Sequence, residues 1–383
     1  MSRTRPGAIP RVVLDATPLL GQRTGIGRYT EHLLAALAAR DDISVSATAF
    51  TLRGWRELAA AVPPGVSVRA RPFPARLLRA AWQRTDLPRV EWLIGSADIM
   101  HGTNFVLPPT SRAAGVVTIH DLAWLTHRNT LRTENDDLRI LVPRALRQAK
   151  AVCTFAEVTR HAISTEFGYP LERIFLTPHG VDPSWFDPPA VTDEQRAVLD
   201  LPDRYFVFVG TREPRKGLDT LLAAHRLLRD RIGDDCPDLL LVGPQGWGTD
   251  HAGAPQLGVR LAGYLPQAIL PSVVAGSVGL VLPSVDEGFG MPAIEALASG
   301  VPVVTTDIPV LAEVTGSAAL RFPVCDETAL SARLQQVLDG EVPPSVDRVA
   351  WARRFTWENC AEQTMRAYRC ALAARATDTT YFP

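Results

Sequence analysis

The stretch Ser284-Val-Asp-Glu-Gly-Phe-Gly-Met-Pro-Ala-Ile-Glu-Ala-Leu-Ala298 sets two carboxylates, Glu287 and Glu295, eight positions apart across a turn and a helix start. Glu287 lies in a turn with Gly288, Phe289 and Gly290. Pro292 suits the first position of a helix, where its missing N–H costs nothing, and this puts Glu295 in that helix's first turn. Just upstream, the apolar run Val278-Gly-Leu-Val-Leu282 predicts a buried strand. Strand, glycine turn and helix N-terminus together present free backbone N–H groups to an anion, normally a phosphate. Carboxylates do not bind phosphate; they accept hydrogen bonds from the hydroxyls of neutral polyols. Amides for phosphate beside carboxylates for hydroxyls describe a site for a sugar nucleotide. The bland alternative is a surface turn with two solvated glutamates.

Outward from this unit, the second half of the chain repeats the alternation. Tyr205–Val209, Leu239–Val242, Val259–Leu261 and Val301–Val304 read as strands, and Leu218–Leu228 as a helix. The first half opens on the strand Val12–Leu14, a glycine-bearing stretch Gly21–Gly27 and a helix from Tyr29 to Leu37, followed by the strands Val45–Ala49, Ile99-Met100 and Val116–Ile119. Such alternation implies α/β domains with parallel sheets covered on both faces. The Pro-rich segment Pro183–Pro189 separates the halves, and Phe355–Ala374 has helical spacing with Trp357 and Tyr368 as anchors. The reading is an N-terminal Rossmann-like domain over 1–190, a C-terminal one over 191–350 and a terminal helix in 351–383.

With 383 residues, 46% hydrophobic, 21% charged and a net charge of −1, the chain is globular, and it lacks the basic excess of a nucleic-acid-binding protein. Five scattered cysteines without a C-x-x-C predict neither a disulfide framework nor a zinc site. Met1–Ile9 has no apolar core for a signal peptide, and no apolar run approaches the ~20 residues that span a bilayer. The expected location is the cytoplasm. Arginines and apolar groups mixed over Arg69–Trp82 leave room for peripheral contact at the inner membrane face, although a solvated amphipathic helix explains them as well.

Gly210-Thr-Arg-Glu-Pro-Arg-Lys-Gly217 follows the first strand of the second half. Lys216 is a compact cation suited to a diphosphate, and Arg212 and Arg215 are both candidates for a bidentate phosphate contact. Thr24-Gly25-Ile26-Gly27-Arg28-Tyr29 is the counterpart in the first half, where Gly25 and Gly27 allow a close backbone approach. His120 follows the Val116–Ile119 strand. No D-x-D offers carboxylates for a metal on a diphosphate.

Taken together, E-G-F-G-M-P-A-I-E-A-L-A-S-G-V-P-V-V, G-T-R-E-P-R-K-G, H-G-T-N and the linker H-G-V-D resemble the retaining glycosyltransferases of GT-B fold with the E-x₇-E signature, the group that holds bacterial mannosyltransferases. The resemblance covers most of the chain. It implies two Rossmann-like domains facing a cleft, with the last helix crossing back to the first domain. It implies that Glu287 meets the sugar hydroxyls, Glu295 the ribose, and the amides of Phe289, Gly290 and Met291 the sugar and diphosphate. It further implies that Lys216 with Arg212 or Arg215 carries the leaving-group charge, that His120 sits beside the transferred sugar, and that the Gly25/Gly27 loop faces donor diphosphate or acceptor. No metal and no cofactor beyond the donor is expected. The implied donor is GDP-mannose, with UDP-glucose or UDP-N-acetylglucosamine as alternatives; a glycan, glycolipid or natural-product precursor would be the acceptor. Two readings of other classes stay open: an NAD-dependent two-domain dehydrogenase, which lacks its G-x-G-x-x-G here, and a non-catalytic sugar-nucleotide-binding protein.

Overall fold

A computed structural model describes residues 9–21, 25–126, 137–246 and 256–378. Met1–Ala8, on which most of the signal-peptide reading rests, and Gln22–Thr24 of the first glycine stretch lie outside the described residues. The chain divides into two compact α/β units.

The first unit contains β1 (Arg11–Asp15), β2 (Ser44–Thr48), β3 (Phe50–Thr51), β4 (Ser67–Val68), β5 (Arg71–Pro72), β6 (Ile99–Gly102), β7 (Ala114–Thr118), β8 (Ala149–Thr154) and β9 (Ile174–Leu176). Seven of these form a parallel sheet in the order β4-β2-β1-β6-β7-β8-β9, and β3 pairs with β5 apart from it. Val12, Val13 and Leu14 of β1 are fully buried, as helices on both faces of a parallel sheet require. The first helix spans Gly25–Ala38 and buries Tyr29, Leu33, Leu34 and Leu37 on one stripe. It begins four residues before the expected Tyr29, so Gly25 and Gly27 lie in its first turn. The last helix, Trp357–Asp378, belongs to this unit: its Tyr368 hydroxyl meets His101 Nδ1 at 2.8 Å, and Cys360 Sγ donates to the Thr177 carbonyl at 3.5 Å.

Around the Arg69–Trp82 segment, a helix forms over Ala75–Arg84. It buries Leu78 and Trp82, anchors the Trp82 indole on the Pro88 carbonyl at 3.1 Å, and pairs Arg79 with Asp137 at 2.7 Å. Among the described residues no helix is long and apolar enough to cross a membrane.

The second unit contains β10 (Tyr205–Val209), β11 (Asp238–Val242), β12 (Val259–Gly263), β13 (Gly279–Leu282), β14 (Val303–Thr306) and β15 (Leu320–Phe322). They form a parallel sheet in the order β12-β11-β10-β13-β14-β15. Aromatic and β-branched residues make β10 a natural strand, and Tyr205–Phe208 are fully buried. After it the Leu218–Ile232 helix starts behind a left-handed Gly217, carries Asp219 in its first turn and Arg229 and Arg231 in its last, and so complements its own dipole.

The units divide after Gly180 and after Thr356, where the sequence reading set boundaries at 190 and 350. Packing moves both. Trp185 is buried in the second unit, where Ser299 Oγ donates to its carbonyl at 2.8 Å, and Val181 N–H bonds the Phe355 carbonyl at 3.0 Å. The Ser345–Ala352 helix is tied to the same unit by Trp351 Nε1, which donates to the Val314 carbonyl at 2.8 Å.

Candidate active site

In the second unit β10 and β13 are parallel neighbours. The sheet continues through β11 and β12 on one side and through β14 and β15 on the other, so strand order reverses between them. Such a reversal splays the loops at the carboxyl ends and opens a ligand crevice. The two loops concerned are Gly210–Gly217 and Pro283–Gly290. They close on each other because Gly217 adopts φ 65° with no side chain; a Cβ there would collide with the Pro283 carbonyl oxygen. Val285 N–H then donates to the Arg215 carbonyl at 2.9 Å.

This closure joins the basic loop to the acidic one. Lys216 Nζ lies 2.6 Å from Glu287 Oε1, and Ser284 Oγ donates to that same oxygen at 2.7 Å. Ser284 is itself held, since Thr306 Oγ1 donates to its carbonyl at 2.5 Å. Arg215 is bound to Glu213 through Nη2 at 2.7 Å and Nε at 3.1 Å; its Nη1 donates to the Asp286 carbonyl at 2.9 Å and lies 3.6 Å from Glu287 Oε2. Burial alone would lift the Glu287 carboxyl, but Lys216, Arg215 and Ser284 outweigh it and hold it below the usual carboxylate range. Glu287 is therefore an anion at neutral pH. Arg212 is placed by its backbone: its N–H donates to Pro244 at 3.1 Å, and its carbonyl accepts from Gly246 at 3.1 Å.

Glu287 is 8% exposed and Glu295 is 1% exposed, which overturns the alternative of two solvated glutamates. The helix between them spans Met291–Ala298 behind a left-handed Gly290 with φ 89°. It starts one residue earlier than Pro292, so Glu295 is its fifth residue and stands just beyond the first turn. Phe289 is buried with its ring edge on Phe355 at 5.8 Å. Phe289, Gly290 and Met291 thus lead from Glu287 into the helix N-terminus.

Gly25, Gly27 and His120 belong to the first unit. His120 follows β7, and its Nε2 donates to the Thr103 carbonyl at 2.8 Å, which leaves the lone pair on Nδ1. Its ring is packed by Tyr29, Phe105 and Phe155, and burial pushes its pKa down to about 4, so the imidazole is neutral. His101 is held at both ring nitrogens by Tyr368 and Thr118, and burial lowers its pKa to about 3. It braces the terminal helix.

Residues 203–340 match the family described as glycosyl transferases group 1, and residues 24–180 match the glycosyl transferase 4-like domain. The O-antigen chain mannosyltransferase B of Escherichia coli is 30% identical over 386 residues, covering 94% of this chain and 99% of the relative. The chain is a group 1 glycosyltransferase. The D-inositol 3-phosphate glycosyltransferase of Jonesia denitrificans is 27% identical over 75% of this chain and 72% of its own length. Among solved structures, Anabaena HepE in complex with UDP and glucose matches with a TM-score of 0.70 at 18% identity, over 94% of this chain and 99% of that one. The sucrose-phosphate synthase of Thermosynechococcus elongatus matches at 0.64 and 20% identity, over 97% and 98%. These likenesses show the GT-B fold.

Three residues of the cluster between these two loops escape sequence reasoning. Glu213 stands inside the G-T-R-E-P-R-K motif, where the cations alone suggest a phosphate. Ser284 reads as an ordinary turn residue. Gly217 reads as a helix boundary, and only the close approach of Pro283 shows why it must be glycine.

Proposed function

We propose that this glycosyltransferase is a retaining mannosyltransferase that uses GDP-mannose and delivers the sugar to a hydroxyl of a glycan, glycolipid or small-molecule acceptor. The observation that carries the donor site is the buried Lys216–Glu287 pair at the strand reversal of the second unit. Support for mannose comes from the name of the Escherichia coli relative, which aligns almost end to end.

In this reading Lys216 binds the diphosphate, and Arg212 or Arg215 supplies the second cation. The amides of Phe289, Gly290 and Met291 line the diphosphate and sugar; Glu287 accepts from the sugar hydroxyls and Glu295 from the ribose. The first unit takes the acceptor, with Gly25 and Gly27 in a helix N-terminal turn, and a neutral His120 accepts a hydrogen bond from a sugar hydroxyl through Nδ1. During transfer the bond from the anomeric carbon to the phosphate oxygen breaks, and the acceptor oxygen bonds to that carbon on the same face. The departing phosphate oxygen takes the acceptor proton. Negative charge grows on the diphosphate, and fixed cations there lower the barrier.

The deciding experiment combines thermal-shift titration with GDP, UDP and ADP and incubation with GDP-mannose, UDP-glucose and UDP-N-acetylglucosamine. Saturating GDP at 100 times its Kd stabilises the fold by about 2.7 kcal/mol. GDP-mannose should be turned over, and NMR of the product should show the donor's anomeric configuration. A melting shift with UDP alone, with turnover of a UDP-sugar, would replace the donor. An inverted anomer would remove the same-face chemistry. Absence of any shift would remove the donor site.

Metal independence is part of the proposal, as is the absence of a cofactor other than the donor. Among the described residues no group of three or more His, Cys, Asp or Glu is placed to hold a metal ion, and the diphosphate charge falls to side-chain cations. Activity should persist in excess EDTA. Complete loss, restored by Mg²⁺ or Mn²⁺, would contradict it.

A further inference from the structure

We infer that Glu287 competes with the spent nucleoside diphosphate for Lys216 and so speeds product release, in addition to meeting the sugar. The inference rests on the donor-site reading above.

Lys216 and Glu287 are 2.6 Å apart, with side chains only 12% and 7% exposed, so their attraction is little screened. The carboxylate is not positioned to swing away. Ser284 holds Oε1, Thr306 holds the Ser284 carbonyl, and Arg215 faces Oε2 while gripping the next residue back, Asp286, by its carbonyl. A phosphate oxygen arriving at Lys216 must therefore share the ammonium with a standing carboxylate, or displace it and leave that carboxylate with Ser284 and Arg215.

Donor and product feel this differently. The sugar nucleotide brings hydroxyls that donate to Glu287, and these compensate the carboxylate for what the ammonium gives up. The product brings none. Loss of the sugar ester also exposes a terminal phosphate with a second pKa of about 6, so the product carries about one more negative charge at pH 7. The same carboxylate thus favours the donor and contests the ammonium with the product. A site built only of cations would hold the product more tightly than the donor and stall after each turnover.

The test is calorimetric titration with GDP and with UDP of the wild type, Glu287→Gln, Lys216→Gln and the double variant, each first shown to be folded by its melting curve. Glu287→Gln should bind nucleoside diphosphate roughly tenfold tighter or more, the scale of one charge-assisted bond. Stopped-flow displacement should show that the gain lies in slower dissociation. In the Lys216→Gln background the same change should bring no gain. Glu287→Asp keeps the charge but withdraws it by one methylene, and should bind between wild type and Glu287→Gln; it serves if the Gln variant does not fold. Equal or weaker product binding by Glu287→Gln, or by Glu287→Asp where that substitutes for it, overturns the inference, and so does a gain that survives without Lys216. Those outcomes leave the donor site intact. A wild-type protein that binds neither GDP nor UDP ends the donor-site reading itself, and the inference with it.

Discussion

Lys216→Ala is expected to slow sugar transfer by about 10²–10³-fold, or about 2.7–4 kcal/mol of transition-state stabilisation. The size follows from where the ammonium sits. It is 12% exposed, on a loop fixed by Gly217 against the Pro283 backbone, so its place in the proposed site is set before a diphosphate arrives. A solvated lysine at the same distance would contribute far less, because water screens it. The substitution also strips Glu287 of its nearest cation and leaves it Ser284 and Arg215. Some loss of stability is therefore expected beside the loss of rate. The measurement is steady-state transfer by variant protein whose circular dichroism shows it folded, with donor saturated so that weaker binding does not pass for slower chemistry. Turnover within a few-fold of wild type would remove Lys216 from the leaving-group site.

How much of this is legible in the sequence depends on what kind of fact each residue reports. Glu287, Glu295 and Lys216 stand out as candidates because their residue types and spacing suit a sugar nucleotide, and an apolar run such as Tyr205–Val209 marks its own strand. The pairing of Lys216 with Glu287 cannot be found that way. The two are 71 residues apart, and they meet only because β10 and β13 are neighbours in the sheet, which no local period encodes. Ala149–Thr154 is fully strand, yet its alternation of Ala, Lys and Cys lacks the bulky run that announces one; parallel neighbours on both sides supply the missing preference. The helix start at Gly25 shows the same override. Glycine argues for a loop, but the burial of Tyr29 and Leu33 carries the helix back through it. The domain boundaries move for a related reason: prolines from Pro183 to Pro189 read as a linker, while the burial of Trp185 fastens them to the second unit.

Glu213 is where the largest loss of stability is expected. Its side chain is 5% exposed and binds Arg215 at two nitrogens, 2.7 and 3.1 Å away, and Arg215 is 17% exposed. Glu213→Ala removes a carboxylate from a cation that has little water to fall back on. Breaking a buried pair from one side costs roughly 3–5 kcal/mol, mostly the penalty of the charge left behind. Glu213→Gln keeps an acceptor for the guanidinium and should cost less. Urea unfolding of the three proteins, with equal slopes so that midpoints compare directly, gives the ordering wild type, Gln, Ala. The arginine has another carboxylate in reach. Glu287 Oε2 is 3.6 Å from Arg215 Nη1, and once Glu213 is gone Arg215 should close on it and draw it from Lys216. Transfer should then fall even in the fraction that stays folded, although Glu213 touches neither sugar nor phosphate in the proposed site. A Glu213→Ala protein that unfolds at the wild-type urea midpoint would show that the Glu213–Arg215 pair adds nothing to the stability of the fold. A destabilised variant with unchanged turnover would show that Glu287 keeps its place without it.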